Sequence, residues 1–197
     1  MQDHGVDVER LDSEEVAKRF PSLRTTDVAI AGLTNHAGYT DTAAYTEWLA
    51  DRVRENGVSI EEKTPVEIAA GPPRVIPEGT SESADFDALV VTAGAHTKRV
   101  LADAGIPIAM KPYRVQALVG SATLDEDWPM VYDASADCYF RPHAEGLLAG
   151  DGTEEVEADP ESYDRDADES FPESLATRVT YRVPDCDLDV DRAWAGL

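Results

Sequence analysis

Apolar positions recur along this chain with two periods. Across residues 42–56, Ala44, Tyr45, Trp48, Leu49 and Val53 fall at helical spacing. Gly38-Tyr39-Thr40-Asp41 opens that helix. Asn56-Gly57 closes it, with Gly57 placed where a helix end favours glycine. A shorter helix is predicted after Asp12, which caps it while Glu15 answers three residues on. Val16, Ala17 and Phe20 face inward, and Pro21 stops it. Two more helices are predicted, from Thr97 to about Ala104 and from Ser174 to Val183 before Pro184. Strands are predicted at 28–33, at Val58-Ser59-Ile60, and in the extended run 63–68. Residues 113–119 alternate like an antiparallel strand, and Met130-Val131-Tyr132 adds another. The run 86–92 is the clearest buried strand. It passes through Ala93-Gly94-Ala95-His96 into a helix, the layout of a βα unit with a parallel sheet. Residues 71–85 are rich in Pro, Gly and Ser and read as a surface turn region. The acidic stretch 151–170 reads as loop leading into a helix, and 190–197 as a strand.

The stretch 139–155 carries the most chemistry. Tyr139-Phe140-Arg141-Pro142 runs into a turn at Ala144-Glu145-Gly146, and Leu147-Leu148-Ala149-Gly150 returns as a small apolar strand. Gly146 suits a turn that needs positive φ. Side chains alternate along a strand, so Tyr139, Arg141 and His143 share one face. A phenol, a guanidinium and an imidazole on one face suit a small anion. The plain alternative is an exposed hairpin face with ordinary polar residues.

Charge narrows the field. The chain has 197 residues, with 40 acidic against 17 basic side chains and a net charge of −23. Only four of the basic residues are lysines: Lys18, Lys63, Lys98 and Lys111. A disordered acidic chain would lack these apolar runs, and this charge repels nucleic acid. Adaptation to a salt-rich, halophilic cytoplasm accounts for it, because salt screens the self-repulsion. Cys138 and Cys186 lie far apart with no zinc spacing, as expected of reduced thiols in a cytoplasmic protein. No apolar run approaches the ~20 residues that span a bilayer, and the first residues hold no apolar signal core, so no membrane association is expected.

Several catalytic templates are missing: GxGxxG, the P-loop, HExxH and GxSxG. His4, His36, His96 and His143 are scattered without ligand spacing, so no metal site is expected. Carboxylate pairs carry no specificity in so acidic a chain. Three segments remain. Leu89-Val90-Val91-Thr92-Ala93-Gly94-Ala95 ends a strand in small residues, which lets backbone approach a cofactor closely; tight helix–sheet packing is the alternative. At Thr64-Pro65-Val66, extended backbone could pair with a flat ring edge. The third is 139–155, with Trp194-Ala195-Gly196-Leu197 behind it.

In this order the segments resemble the flavoprotein family of D-amino-acid oxidase, glycine oxidase and sarcosine oxidase. Thr64-Pro65-Val66 resembles the place where a valine backbone meets the adenine of FAD. Val91-Thr92-Ala93-Gly94-Ala95-His96 resembles the family's strand end beside the cofactor, with His96 where tryptophan is usual. Pro112-Tyr113-Arg114-Val115-Gln116 resembles its Pro-x-Arg/Lys-Gly-Gln strand, with Val115 where glycine is usual. Residues 139–150 resemble the substrate-domain hairpin, and Tyr139 matches a tyrosine that contacts the substrate carboxylate.

The resemblance implies an incomplete FAD-binding Rossmann-like α/β domain joined to an antiparallel α+β substrate domain. It sets a lead-in at 1–30, the FAD-binding part at 31–107 and the substrate part at 108–197. It implies oxidation of the C–N bond of a small amino acid or N-methyl amino acid such as glycine or sarcosine. Tyr139 and Arg141 would be the substrate residues. Val66, Thr92, Ala93 and Gly94 would be backbone contacts to FAD. The family's GxGxxG strand would lie before Met1 and its substrate arginine just after Leu197. The expectation is therefore a fragment that binds FAD weakly alone, with a second chain as possible supplier of the rest. A non-catalytic domain of the same fold and an FAD-dependent 2-hydroxy-acid dehydrogenase are the alternatives.

Overall fold

A computed structural model describes residues 5–122, 128–152 and 156–197. His4 and the 153–155 end of the hairpin stretch lie outside these residues. The chain divides into two compact units, Met1–Thr34 with Lys111–Leu197, and Asn35–Met110.

In the first unit, β1 (Glu9–Leu11) pairs antiparallel with β2 (Ala31–Leu33). The strand anticipated at 28–33 is shorter because β1 offers only three residues of partner. Between them, α1 (Ser13–Arg19) starts in a full capping box. Asp12 Oδ1 accepts from the Glu14 and Glu15 amides at 3.0 and 2.9 Å, and Glu15 Oε2 accepts from the Asp12 amide at 2.9 Å. Val16 is buried, as its position in the helical stripe requires.

The larger sheet of this unit is antiparallel throughout. It contains β6 (Val115–Ser121), β7 (Val131–Asp133), β8 (Cys138–His143), β9 (Gly146–Asp151) and β10 (Asp189–Gly196), in the order β10-β6-β9-β8-β7. The helix α4 (Phe171–Arg182) covers one face. It begins three residues before the expected start at Ser174, since Pro172 is tolerated in a first turn where no amide partner is needed. Phe171, Leu175 and Val179 pack on Leu118, Cys138, Phe140, Leu147 and Ala149 to form the core. The acidic loop before α4 is tied to the edge of β6. Arg114 donates to the carbonyls of Asp164 and Asp166 at 3.1 and 2.7 Å, and the Gln116 side-chain oxygen accepts from the Asp168 amide at 2.7 Å.

The second unit holds α2 (Thr42–Glu55), started by Asp41, whose carboxylate accepts from the Ala44 amide at 3.0 Å. Gly57 takes φ +79°, as a residue following a helix end should. The residues at helical spacing on α2 form an exposed stripe: Tyr45, Trp48, Leu49 and Val53 all remain accessible, and no α2 residue is buried. A three-stranded antiparallel sheet follows, of β3 (Val66–Ala70), β4 (Pro73–Pro77) and β5 (Ala84–Asp85). This corrects the reading of 71–85 as turns. Pro73 and Pro77 stand at the ends of β4, where the missing N–H spoils no central rung. The Pro73 carbonyl still accepts from the Phe86 amide at 2.9 Å.

Two anticipated strands do not form. Residues 58–60 and 86–92 join no ladder among the described residues, and Val90 is 87% exposed. A strand exists only with a hydrogen-bonded neighbour, so no parallel βα unit appears among the described residues. The segment after 92 does turn as expected, through a tight turn (Gly94–His96) into α3 (Thr97–Asp103), which lies against β3. The fold class is mixed α/β with antiparallel sheets.

Candidate functional site

The face of the five-stranded sheet opposite α4 is the chemically loaded one. Residues paired across antiparallel strands share a face, so the register defines two adjacent rows. One row runs Tyr132, Tyr139, Gly150, Ala117, Trp194 across β7, β8, β9, β6 and β10. The next runs Arg141, Leu148, Val119, Arg192 across β8, β9, β6 and β10. The floor is small or aliphatic, the first row has aromatic walls, and the second ends in two guanidinium groups. His143 continues the face at the hairpin tip, opposite Gly146. The anticipated sharing of one face by Tyr139, Arg141 and His143 is therefore present.

Local chemistry sets the state of each group. Burial pushes the Tyr139 phenol up, the Asp151 carboxylate adds to this, and Arg141 offsets part of it. The hydroxyl stays protonated and can donate. Its ring lies over Gly150, whose lack of a side chain leaves room for it. Arg141 Nη1 donates to the Pro142 carbonyl at 2.9 Å, which turns the guanidinium along the strand. His143 Nδ1 accepts from the Glu145 amide at 3.3 Å. Arg192 donates to Glu145 Oε2 at 3.4 Å and stacks 4.9 Å from the Trp194 ring centre. A half-buried phenol donor beside a guanidinium can hold a carboxylate by charge-assisted hydrogen bonds.

Arg192, Trp194, Leu148 and Gly150 were not singled out as site residues by the sequence. Alternation shows which residues of one strand share a face, but not which strand lies beside which. Here β10 joins β6 across a long connection.

The backbone candidates occupy the second unit. Val66 begins β3 opposite Pro77 and is 41% exposed. Thr92, Ala93 and Gly94 are exposed, and Gly94 takes φ +56°, which a side chain would strain. A Cβ placed at Gly94 would meet nothing within 4 Å. Bare, accessible backbone of this kind fits the approach of a flat cofactor such as FAD. The structure thus groups Tyr139 with Arg141 in one unit, and the four backbone residues in the other. No group of residues able to hold a metal occurs among the described residues.

A recess elsewhere in the first unit, about 450 Å³, is lined by apolar residues including Leu11, Phe20, Ile30 and Met130. Arg182 lies at its wall, bonded to Asp133 and Asp27.

Residues 1–197 match the family model described as DAO, FAD dependent oxidoreductase. Comparison with curated proteins finds no match. Among solved structures, the chain is similar to L-proline dehydrogenase from P. horikoshii, at 24% identity and TM-score 0.81, over 99% of this chain and 53% of that one. It is similar to glycine oxidase from Geobacillus kaustophilus at 21% identity and TM-score 0.78, over 99% and 52%. It is similar also to L-alpha-glycerophosphate oxidase from Mycoplasma pneumoniae with FAD bound, at 19% identity and TM-score 0.71, over 96% and 52%. At these identities the likeness shows the fold. The chain spans about half the length of each of these structures.

Proposed function

This chain belongs to the DAO family of FAD-dependent oxidoreductases, and from that premise we propose that it supplies the substrate-facing sheet of an enzyme oxidising the C–N bond of a small amino acid or N-methyl amino acid. The observation that carries the reading is the open sheet face, where a protonated phenol and a guanidinium stand over a small apolar floor. Likeness to glycine oxidase and L-proline dehydrogenase supports a small amino acid as the substrate class.

Tyr139 donates a hydrogen bond to the substrate carboxylate and Arg141 supplies positive charge beside it. Leu148, Ala117 and Trp194 keep water off the reacting carbon. The backbone at Val66, Thr92, Ala93 and Gly94 contributes to holding FAD. The chemistry that FAD would supply when bound is two-electron oxidation of the C–N bond, giving an imine that water hydrolyses. This chain covers about half of the similar structures, and the rest of the flavin site comes from segments outside it, on the same polypeptide or on a second chain. The isolated chain then binds FAD weakly and oxidises nothing. A yellow preparation of this chain that oxidises sarcosine unaided would overturn that part.

The experiment is sarcosine and glycine kinetics with the complete, flavin-bound enzyme carrying Tyr139→Phe. Loss of a hydrogen bond to a charged group should raise KM about tenfold or more. Unchanged kinetics with both substrates remove Tyr139 from the site.

A further inference from the structure

Gly150 is the penultimate residue of β9, inside the ladder to β8 and β6, where glycine weakens a strand. Its backbone gives no reason for the choice, since it lies outside the positive-φ region that Gly94 and Gly146 occupy. Its surroundings do. A Cβ at position 150 would stand 2.5 Å from Cζ and 2.7 Å from Cε1 of Tyr139. Those separations are far inside van der Waals contact, and the atoms belong to a rigid ring. The other glycines of this sheet with close neighbours differ in kind. Gly146 faces only backbone, of residues 120–122, at 3.0 Å or less, and Gly120 faces the Asp189 backbone together with Leu188 Cδ1 at 2.8 Å. Gly150 faces only Tyr139, the side chain proposed to donate to the substrate carboxylate.

We propose that Gly150 is a positioning residue, whose bare backbone is the seat on which the Tyr139 ring lies flat across β9. The inference rests on the reading of Tyr139 as a carboxylate ligand. The seat sets where the hydroxyl ends. Leaning from β8 over Gly150, the ring places its hydroxyl above Gly150, whose neighbours along the row are Ala117 and then Trp194. A methyl group at 150 lifts the ring off the sheet and carries the hydroxyl away from that row. It also returns the phenol to water, where its titration approaches that of an exposed tyrosine, about 10.

The test uses the full 197-residue chain labelled with ¹³Cζ-tyrosine, with Tyr139→Phe assigning the Tyr139 signal. In Gly150→Ala, the Tyr139 resonance should move and its titration midpoint should fall, while the other tyrosines stay in place. Melting of Gly150→Ala in the native and Tyr139→Ala backgrounds completes a cycle. The alanine should cost less than half as much once the ring is gone. An unmoved Tyr139 signal, or equal costs in both backgrounds, overturns the seat. If Gly150→Ala alone does not fold, refolding of the Tyr139→Ala/Gly150→Ala double variant supports the seat. Failure of that double variant overturns it. Sarcosine KM of the complete, flavin-bound enzyme should rise about tenfold in Gly150→Ala, and an unchanged KM there overturns the seat's part in binding. Unchanged kinetics in Tyr139→Phe refute the carboxylate role of Tyr139. The ring and melting readouts still decide the seat.

Discussion

Replacing Arg182 with methionine keeps the length of a buried side chain and deletes all of its donors. The Arg182 side chain is 5% exposed and that of Asp133 is 7% exposed. Arg182 Nε donates to Asp133 Oδ2 at 2.7 Å, and its two terminal nitrogens donate to Asp27 at 2.8 and 3.1 Å. It donates as well to the Arg24 carbonyl, joining α4 to the segment between α1 and β2. Asp133 keeps its bonds from Ser135 and Ala136 in the variant but loses its counter-charge. Breaking a buried pair by removing one partner costs about 3–5 kcal/mol, a large part of the roughly 5–15 kcal/mol of a typical fold. For a chain of this size each kcal/mol is worth about 2–4 °C, so melting should fall by about 6–20 °C.

The assay is urea unfolding followed by tryptophan fluorescence, read as a midpoint change at constant slope. The pH dependence supplies a second check. Burial pushes the Asp133 carboxyl up, but the Ser135 hydroxyl and Arg182 outweigh it, and the net direction is down. The Arg182 hydrogen bond holds the Asp27 carboxyl down too. A carboxyl lowered by folding stabilises above its unfolded value, near 3.9, and loses that contribution as pH falls through the folded value. The gap between wild type and Arg182→Met should therefore be full at pH 7 and shrink below about pH 4. A gap under about 1 kcal/mol at pH 7, or one constant to pH 2, would refute the assignment of a stabilising buried pair.

Asp12→Ala removes the side-chain acceptor of the α1 capping box, leaving the Glu15 carboxylate on the residue-12 amide, and should cost about 1 kcal/mol, measured by denaturant titration. Leu175→Ala opens a cavity between α4 and the sheet and should cost about 2–5 kcal/mol in the same titration, with Phe140 and Leu147 as its walls. Burial pushes the Cys138 thiol up to about 11. At pH 8 the native protein should thus hide Cys138 from a thiol reagent until urea exposes it, and Cys138→Ser identifies its share of the signal. With a net charge of −23, the chain should melt higher in molar KCl than in low salt; equal melting would count against salt adaptation.

Much of the local structure was legible from residue pattern alone. The Asp12 cap, the start of α2 at Asp41, the 139–150 hairpin and the end of α4 before Pro184 are short-range matters of hydrogen-bond supply and side-chain period. The misreadings were long-range. Residues 86–92 have the composition of a buried strand, yet no neighbour pairs with them among the described residues. Residues 71–85 have the composition of turns, yet β4 finds partners on both sides. Composition reports what a segment tolerates, whereas a strand is a relation between two segments.

The candidate site divides along the same line. Strand alternation by itself put Tyr139, Arg141 and His143 on one face, because the side-chain period of a strand is two. Only the tertiary structure placed Gly150 beneath the Tyr139 ring and brought Trp194 and Arg192 onto that face. Those positions depend on the register between β8, β9, β6 and β10. Register is decided where whole faces find their burial against α4, and no single segment of the chain carries that information.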